Sequence, residues 1–298
     1  MASTKFAVTE FMLLNDMLGG GIPIGKIIEI FGYEGCGKST LGMELTKYFK
    51  RVYYIDFEHE LDMDYAKMIG ANITKIIQPA TIEEGCDTFF HDYKEKRYDL
   101  LIVDTIGAGI SAEELENDLA DNDMGISARK ITRFVKKMEH ILKPLGTTTI
   151  LLNHKKDILG KSSFGGEKHY TPGGRYLRFA ASFRLSVTKK STKVYEDAII
   201  CNIWSKKDKV THVDGIHNAE YMIRRGKGII RGDECLHLAL AMGMITHKGQ
   251  CYHLASKSLR GIKEAIDFLD ANPKVREAIN ARWNKSDKRP QLPVPAED

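Results

Sequence analysis

The segment GYEGCGKS, Gly32 to Ser39, has the spacing G-x-x-x-x-G-K-S and runs into Thr40. A glycine-rich turn of this kind lets backbone N–H groups point inward around phosphate oxygens at the positive end of a helix. Gly32, Tyr33, Glu34, Gly35, Cys36, Gly37, Lys38, Ser39 and Thr40 are therefore the candidate nucleotide-binding residues. Lys38 is expected to reach the β- and γ-phosphates and the Ser39 hydroxyl to ligate Mg²⁺, which makes ATP with Mg²⁺ the expected ligand. Asp104 closes the run DLLIVD, where a carboxylate can hold the metal's water shell. Glu58 lies just past VYYIDF, where it can orient and deprotonate a water in line with the γ-phosphate. Alone, Glu58 reads equally well as a surface glutamate in a charged turn, and Asp104 as a capping aspartate. Between a phosphate loop and a metal aspartate, Glu58 favours hydrolysis over phosphoryl transfer to a small molecule.

These groups need strands to carry them. KIIEIF (26–31), VYYIDF (52–57), DLLIVD (99–104) and TTTILLNH (147–154) are short apolar runs of the kind buried on both faces. Helical patterns alternate with them. Ile131, Phe134, Val135, Met138, Ile141 and Leu142 fall on one face of a helix spanning about Ser127 to Leu142. The alternation predicts an α/β fold with a mostly parallel central sheet flanked by helices, its ligand at the carboxyl ends of the strands. FRLSVTK (183–189), AIICNIW (198–204) and AEYMIRR (219–225) are three further strand-like runs. From Gly232 to Trp283 the pattern changes to small helices with short links, read as an α-rich carboxy-terminal subdomain. The expected division is a short amino-terminal segment (1–18), an ATPase core (19–231), that subdomain (232–283) and a polar, proline-containing disordered tail (284–298).

Composition narrows the function classes. With 298 residues, 43% of them hydrophobic, the chain can build a large core, and a net charge of +4 confines any basic surface to local clusters. Five cysteines without CxxC spacing argue against a disulfide framework or a zinc site and for a reducing cytosol. No signal-peptide core and no apolar stretch of roughly 18 residues is visible, so cytoplasmic residence without a membrane partner is expected. One segment stands apart: KKDILGKSSFGGEKHYTPGG, 155–174, lies between two apolar runs without any period, and a structureless loop of that length is usually functional or disordered.

With these pieces in order, the chain resembles the RecA family of recombinases over nearly all its length. LGGGIPIGKIIEIFGYEGCGKST is similar to that family's entry strand and phosphate loop, and IDFEHELD to the segment supplying its catalytic glutamate, here Glu58. NDMGISARKITRFVKKM resembles the first DNA-binding loop (about 117–126) and the helix after it; TPGGRYLRFAASFRLSV resembles the end of the second loop (155–174) and its following strand. KKDKV, AEYMIRRGKGI and a small carboxy-terminal domain then follow in family order.

The resemblance implies that Asp62 and Tyr65 contact adenine and that Lys207 and Lys209 reach the γ-phosphate of a neighbouring subunit, acting in trans as an arginine finger does. It implies that Met124 wedges between base steps beside Gly125, with Arg129 and Lys136 near the DNA backbone, and that Ile158 is the wedge of the second loop. There Lys155, Lys156, Lys161 and Lys168 would neutralise phosphates, and Gly173, Gly174 and Arg175 would close the loop on the strand. The expected protein is a DNA-dependent ATPase that forms helical filaments on single-stranded DNA, with ATP between protomers, and exchanges strands with homologous duplex DNA. Single-strand binding and loader proteins are its expected helpers.

Three positions depart from the family pattern. His154 stands where many bacterial members have a glutamine that senses the γ-phosphate, as in some phage recombinases, and its ring introduces a titratable group. Arg225 stands where a tyrosine is usual near the neighbouring nucleotide. The segment before GGGIP is short, so either it supplies a reduced docking element anchored by Phe6 or Phe11, or core contacts alone hold the filament. A compact phage-type member, in a bacterial or infected-host cytoplasm, fits these departures. A hexameric helicase or branch-migration motor shares the fold, although its usual extra domain or zinc module is not visible. A non-catalytic ATP-gated mediator also shares it, and Glu58 argues against that reading.

Overall fold

The computed structural model describes residues 4–117, 125–158, 169–211 and 218–286. Along the chain, β1 (Phe6–Ala7) and β2 (Ile22–Pro23) bracket α1 (Met12–Met17). β3 (Ile27–Gly32) runs into α2 (Lys38–Leu45), β4 (Val52–Asp56) into α3 (Met63–Met68), and β5 (Lys75–Ile77) into α4 (Ile82–Glu95). β6 (Leu100–Asp104) is followed by α5 (Ala112–Glu116) and α6 (Ile126–Ile141). β7 (Thr148–His154) leads to a ribbon of β8 (Lys156–Asp157) and β9 (His169–Tyr170), then to α7 (Gly174–Ala180). β10 (Phe183–Ser191), β11 (Ala198–Asp208), β12 (Asn218–Arg224) and β13 (Gly228–Ile230) precede α8 (Arg231–Ala241). The end of the chain holds β14 (Ile245–Lys248), β15 (Cys251–Leu254), β16 (Lys257–Arg260), α9 (Gly261–Ala271) and α10 (Pro273–Asn284).

Among the described residues, nine strands form one sheet in the order β13-β12-β11-β10-β3-β7-β6-β4-β5. It is parallel from β10 to β5 and antiparallel from β10 to β13, so β10 is the seam. The apolar strand runs follow from burial on both faces. Leu100 and Ile102 face one core cluster while Leu101 and Val103 face the other, as the two-residue period of a strand requires. α6 covers the second cluster with Ile131, Phe134, Val135 and Met138, the predicted stripe; Ile141, at its margin, is exposed. Among the described residues no helix is long and apolar enough to cross a membrane.

The carboxy-terminal region differs from its sequence reading. α8, α9 and α10 are present, but β14, β15 and β16 form an antiparallel meander between the first two. Each of these strands buries one apolar side chain fully or nearly so (Ile245, Tyr252, Leu259), too little for a visible alternation. Their turns use Gly249 and Ala255 at positive φ rather than an Asn-Gly signal. The region also shares its core with the rest, since Leu236, Leu269, Ile279 and Trp283 belong to the cluster that contains Ile28 and Leu152.

The amino-terminal segment packs into that same cluster. Phe11 is 3% exposed and lies under the Arg231 guanidinium, 3.5 Å from its ring centroid, so it is an anchor within its own chain and not one offered to a neighbour. Phe6 is half-buried beside Gly20. Trp283, wholly buried, donates from Nε1 to Asp16 Oδ2 at 2.8 Å and ties α10 to α1. Trp283→Ala is expected to cost about 3–5 kcal/mol, the usual range for emptying an aromatic core site. Urea unfolding monitored by far-UV circular dichroism checks this, and a loss below about 1 kcal/mol would show that the two ends do not share one core.

Candidate active site

Parallel register brings four strand tips into one row. Gly32 pairs with His154, Asp56 with Asp104, and Val103 with Leu151, so β3, β7, β6 and β4 end together. Gly32, Glu58, Asp104 and His154 thus gather at the carboxyl edge, where open α/β sheets bind ligands.

The phosphate loop is built as its glycines require. Gly35 and Gly37 have φ of +63° and +87°, and a Cβ on Gly32 would lie 2.3 Å from the Val187 carbonyl oxygen. Lys38 is 5% exposed and its ammonium donates to the Tyr33 carbonyl at 3.0 Å. Beside it Asp104 is 5% exposed and accepts the Tyr54 hydroxyl on Oδ2 at 2.6 Å. Burial pushes its carboxyl up to about 6, against the lowering effect of Tyr54 and Ser39, and the charges of Glu58 and Asp56 push the same way as burial. Its Oδ1 is buried without a hydrogen-bond partner among the described residues. An orphaned carboxylate oxygen next to a serine hydroxyl fits a hard divalent cation that keeps most of its water and phosphate ligands.

Glu58 is held from two sides. Its Oε1 receives the Thr105 hydroxyl at 2.7 Å and lies 2.6 Å from His154 Nε2; among the described residues Oε2 takes no hydrogen bond. The His154 bond is the largest cause holding its carboxyl below the usual range, helped by Thr105 and opposed by burial. Asp56, which the sequence reading passed over, shapes the turn. Its carboxylate accepts the backbone N–H groups of Glu58, His59 and Leu61 at 3.0 Å each and the Gln78 amide at 2.9 Å. A strand-ending aspartate two residues before Glu58 was the available signal. Thr105, directly after Asp104, was equally adjacent to a singled-out residue.

On the other flank of the phosphate loop, Gly35, Thr40 and Tyr65 line a cleft of about 770 Å³ with Lys189, Asp197 and Arg225. Tyr65 and Arg225 therefore face one space. Asp62 Oδ1 accepts the Asp64 and Tyr65 N–H groups at 2.9 Å and caps α3, so one of its oxygens has a local role.

The expected DNA-contacting residues converge in part. Gly125, Lys156, Gly173, Gly174 and Arg175 line one cavity of about 630 Å³ together with Arg178 and Tyr170, which joins the edges of both loops. Arg129 is exposed on α6, and Lys136 places its ammonium 5.1 Å from the Tyr176 ring centroid. Lys155 lies 4.9 Å over the Tyr33 ring, and Ile158 is half-buried. Met124, Lys161 and Lys168 lie outside the described residues.

Lys207 and Lys209 are not brought to this chain's own phosphate loop. Arg184, the register partner of Lys207, pairs on its other side with Glu29, three residues or roughly 10 Å back from the strand tips. Both ammoniums donate to the Phe179 carbonyl, at 3.2 and 2.6 Å, and Lys207 also to that of Arg178. Burial, then the neighbouring Lys209 and Arg184, push Lys207 down to about 8. Phe179 beside them is 69% exposed.

A family model described as the RecA N-terminal domain matches residues 4–230. The chain is 29% identical over 288 residues to Protein RecA 1 of Myxococcus xanthus, an alignment covering 93% of this chain and 83% of that protein. It is 30% identical over 271 residues to Protein RecA of Mesoplasma florum, covering 88% of this chain and 80% of that protein. It is 29% identical over 291 residues to Protein RecA of Salinispora arenicola, covering 95% of this chain and 83% of that protein.

The buried Asp104 has a measurable signature. Its folded value of about 6 exceeds the ordinary 3.8, so the folded chain holds the extra proton between them and stability falls as pH rises through that window. The full penalty, at most about 3 kcal/mol, stands above pH 7 and vanishes near pH 4. Asp104→Asn should therefore raise Tm of the ligand-free protein at pH 7.5 and leave it nearly unchanged at pH 4. Equal shifts at both values in differential scanning calorimetry would contradict the assignment.

Proposed function

This chain belongs to the RecA family, and from that premise we propose that it is an ATP-dependent recombinase, a DNA-stimulated ATPase that assembles on single-stranded DNA and pairs it with homologous duplex. The observation that carries the hydrolytic part is Glu58: a carboxylate at the strand-tip row, held low by His154 and Thr105 on Oε1, with Oε2 left for a water. The family match alone supports the coarser reading.

In this reading Glu58 orients the attacking water and accepts its proton at Oε2. His154 and Thr105 keep the carboxylate ionised and fix its direction, while Asp56 fixes the turn that presents it. Lys38 and the loop N–H groups position the phosphates, and Ser39 with Asp104 would hold Mg²⁺, which supplies charge neutralisation on the phosphate oxygens when bound. Lys207 and Lys209 stand apart from their own site, as groups serving a neighbour's nucleotide would, and exposed Phe179 on the same corner suits a protomer contact. The cavity between the two loop edges, lined by Lys156, Arg175 and Arg178, suits the phosphates of a single strand.

Glu58→Gln is expected to lower kcat of DNA-stimulated ATP hydrolysis by about 10²–10⁴-fold while ATP still binds; hydrolysis at the wild-type rate would sink the mechanism. Hydrolysis should also be strongly stimulated by single-stranded DNA and lose that stimulation steeply as salt rises. Replacing His154 with Ala removes the largest cause of Glu58's lowered value, so the acid limb of kcat should move upward toward the ordinary carboxylate range near 4.5. A kcat profile between pH 4 and 8 with an unmoved acid limb would show that His154 does not set the charge of Glu58.

A further inference from the structure

Tyr33 lies in the phosphate loop, but its side chain reaches away from it. Its hydroxyl donates to Asp157 Oδ1 at 2.5 Å, and the Lys155 ammonium sits 4.9 Å from its ring centroid. The Asp157 hydrogen bond is the main cause raising the Tyr33 phenol above its ordinary value, which fits a donor closed onto a carboxylate. Both partners belong to the root of the segment 155–174, beyond the tip of β7. Lys155 also donates its backbone N–H to the Gly32 carbonyl at 3.0 Å, so main chain and side chains grip the same spot.

That root is a ribbon with two feet. Asp157 pairs with His169 and Lys156 with Tyr170, so β8 and β9 together carry the residues between them. The foot after β9 is tied to buried groups: the Pro172 carbonyl accepts the Asn153 amide at 2.9 Å, and Thr171 accepts from Arg184 at 3.2 Å. The foot before β8 is tied to the phosphate loop through Tyr33 and Gly32. Both feet leave the sheet, the first directly from β7, but only the first is also clasped by a side chain of the loop that handles nucleotide. On its backbone Tyr33 also receives the Lys38 ammonium, the cation meant for phosphate.

The geometry points to Tyr33 as the positioning residue that couples the nucleotide site to the DNA loop, by its clasp on Asp157 and Lys155. This rests on the reading of 155–174 as a DNA-binding segment. A link between two sites transmits only what differs between their states, and then in both directions by the same factor. The clasp meets the structural requirement, because a shift of Tyr33 would act on the first foot through Asp157 and Lys155 and not on the second. It also manages charge: Asp157 is an acid among basic residues at the edge of a surface that must receive phosphates, and the phenol with Lys155 beside it screens that carboxylate. A tyrosine in a phosphate loop needs no hydroxyl for turn geometry, so its hydroxyl is the separable part.

The test is a cycle of Tyr33→Phe, Asp157→Asn and the double variant. Affinity for a labelled oligothymidylate is measured by fluorescence anisotropy with and without a slowly hydrolysed ATP analogue and Mg²⁺. Phenylalanine keeps the ring under Lys155, so the cycle isolates the hydroxyl bond. The ratio of the two affinities should fall roughly five- to tenfold in each single variant and no further in the double, as for loss of one solvent-exposed hydrogen bond. The gain in analogue affinity caused by oligothymidylate should shrink by the same factor. An unchanged ratio in the single variants, or losses that multiply in the double, would overturn the inference while the recombinase reading stands. A wild-type protein whose oligothymidylate affinity ignores nucleotide would overturn both.

Discussion

Beneath the strand tips sits a carboxylate with no access to solvent, and the geometry of the site hangs on how it is paired. Glu29, in the middle of β3, receives Arg184 Nε on Oε2 at 2.5 Å and the Asn153 amide on Oε1 at 3.0 Å. Arg184 continues to Thr171 and stacks 4.7 Å over the Phe31 ring, while Asn153 continues to Pro172. One buried acid thereby fixes three adjacent strands, β10, β3 and β7, and the exit of the 155–174 segment. Such a pair offers little net stability over apolar packing, yet removing one partner leaves a buried charge and costs about 3–5 kcal/mol. Its value here is register: His154, one residue after Asn153, can meet Glu58 only if β7 stands where Asn153 places it.

Around that fixed base the charges are balanced unevenly. Asp56, Glu58 and Asp104 crowd one edge of the sheet, and each is handled differently. Asp56 is saturated by backbone N–H groups, Glu58 is half-satisfied on one oxygen, and Asp104 is buried with an oxygen to spare. The saturated acid shapes a turn; the two incompletely satisfied ones are those that the proposed mechanism uses. Local hydrogen-bond accounting thus distinguishes residues that look alike in a string of letters.

Much of this was legible beforehand, for reasons of locality. The glycine-rich turn of residues 32–39 declares itself in eight consecutive residues, and the parallel strands declare themselves because burial on both faces leaves mostly apolar side chains. The α6 stripe followed from the helical period. Hidden features depend on long-range partners. Glu58 and His154 lie 96 positions apart, Glu29 and Arg184 155, and no spacing rule connects them. The role of Asp56 was hidden because three of its four partners are main-chain groups that carry no letter. The meander β14–β16 was hidden because short strands that each bury one side chain have no pattern to show. Phe11 read as a candidate outward anchor because an aromatic near a chain end says nothing about which core it joins.

The separation of Lys207 and Lys209 from the strand-tip row has a consequence for assembly. In the proposed arrangement each subunit lends a pair of cations at one corner and borrows a pair at another. Such contacts are heterologous, joining unlike surfaces head to tail, and nothing in them closes by two-fold symmetry. Every stack then has two chemically distinct ends: at one, a nucleotide pocket lacking its borrowed lysines, and at the other, lysines with no pocket to serve. Turnover at the first end is starved of its cations. A stack built this way would have a direction, with nucleotide turning over at different rates at its two ends.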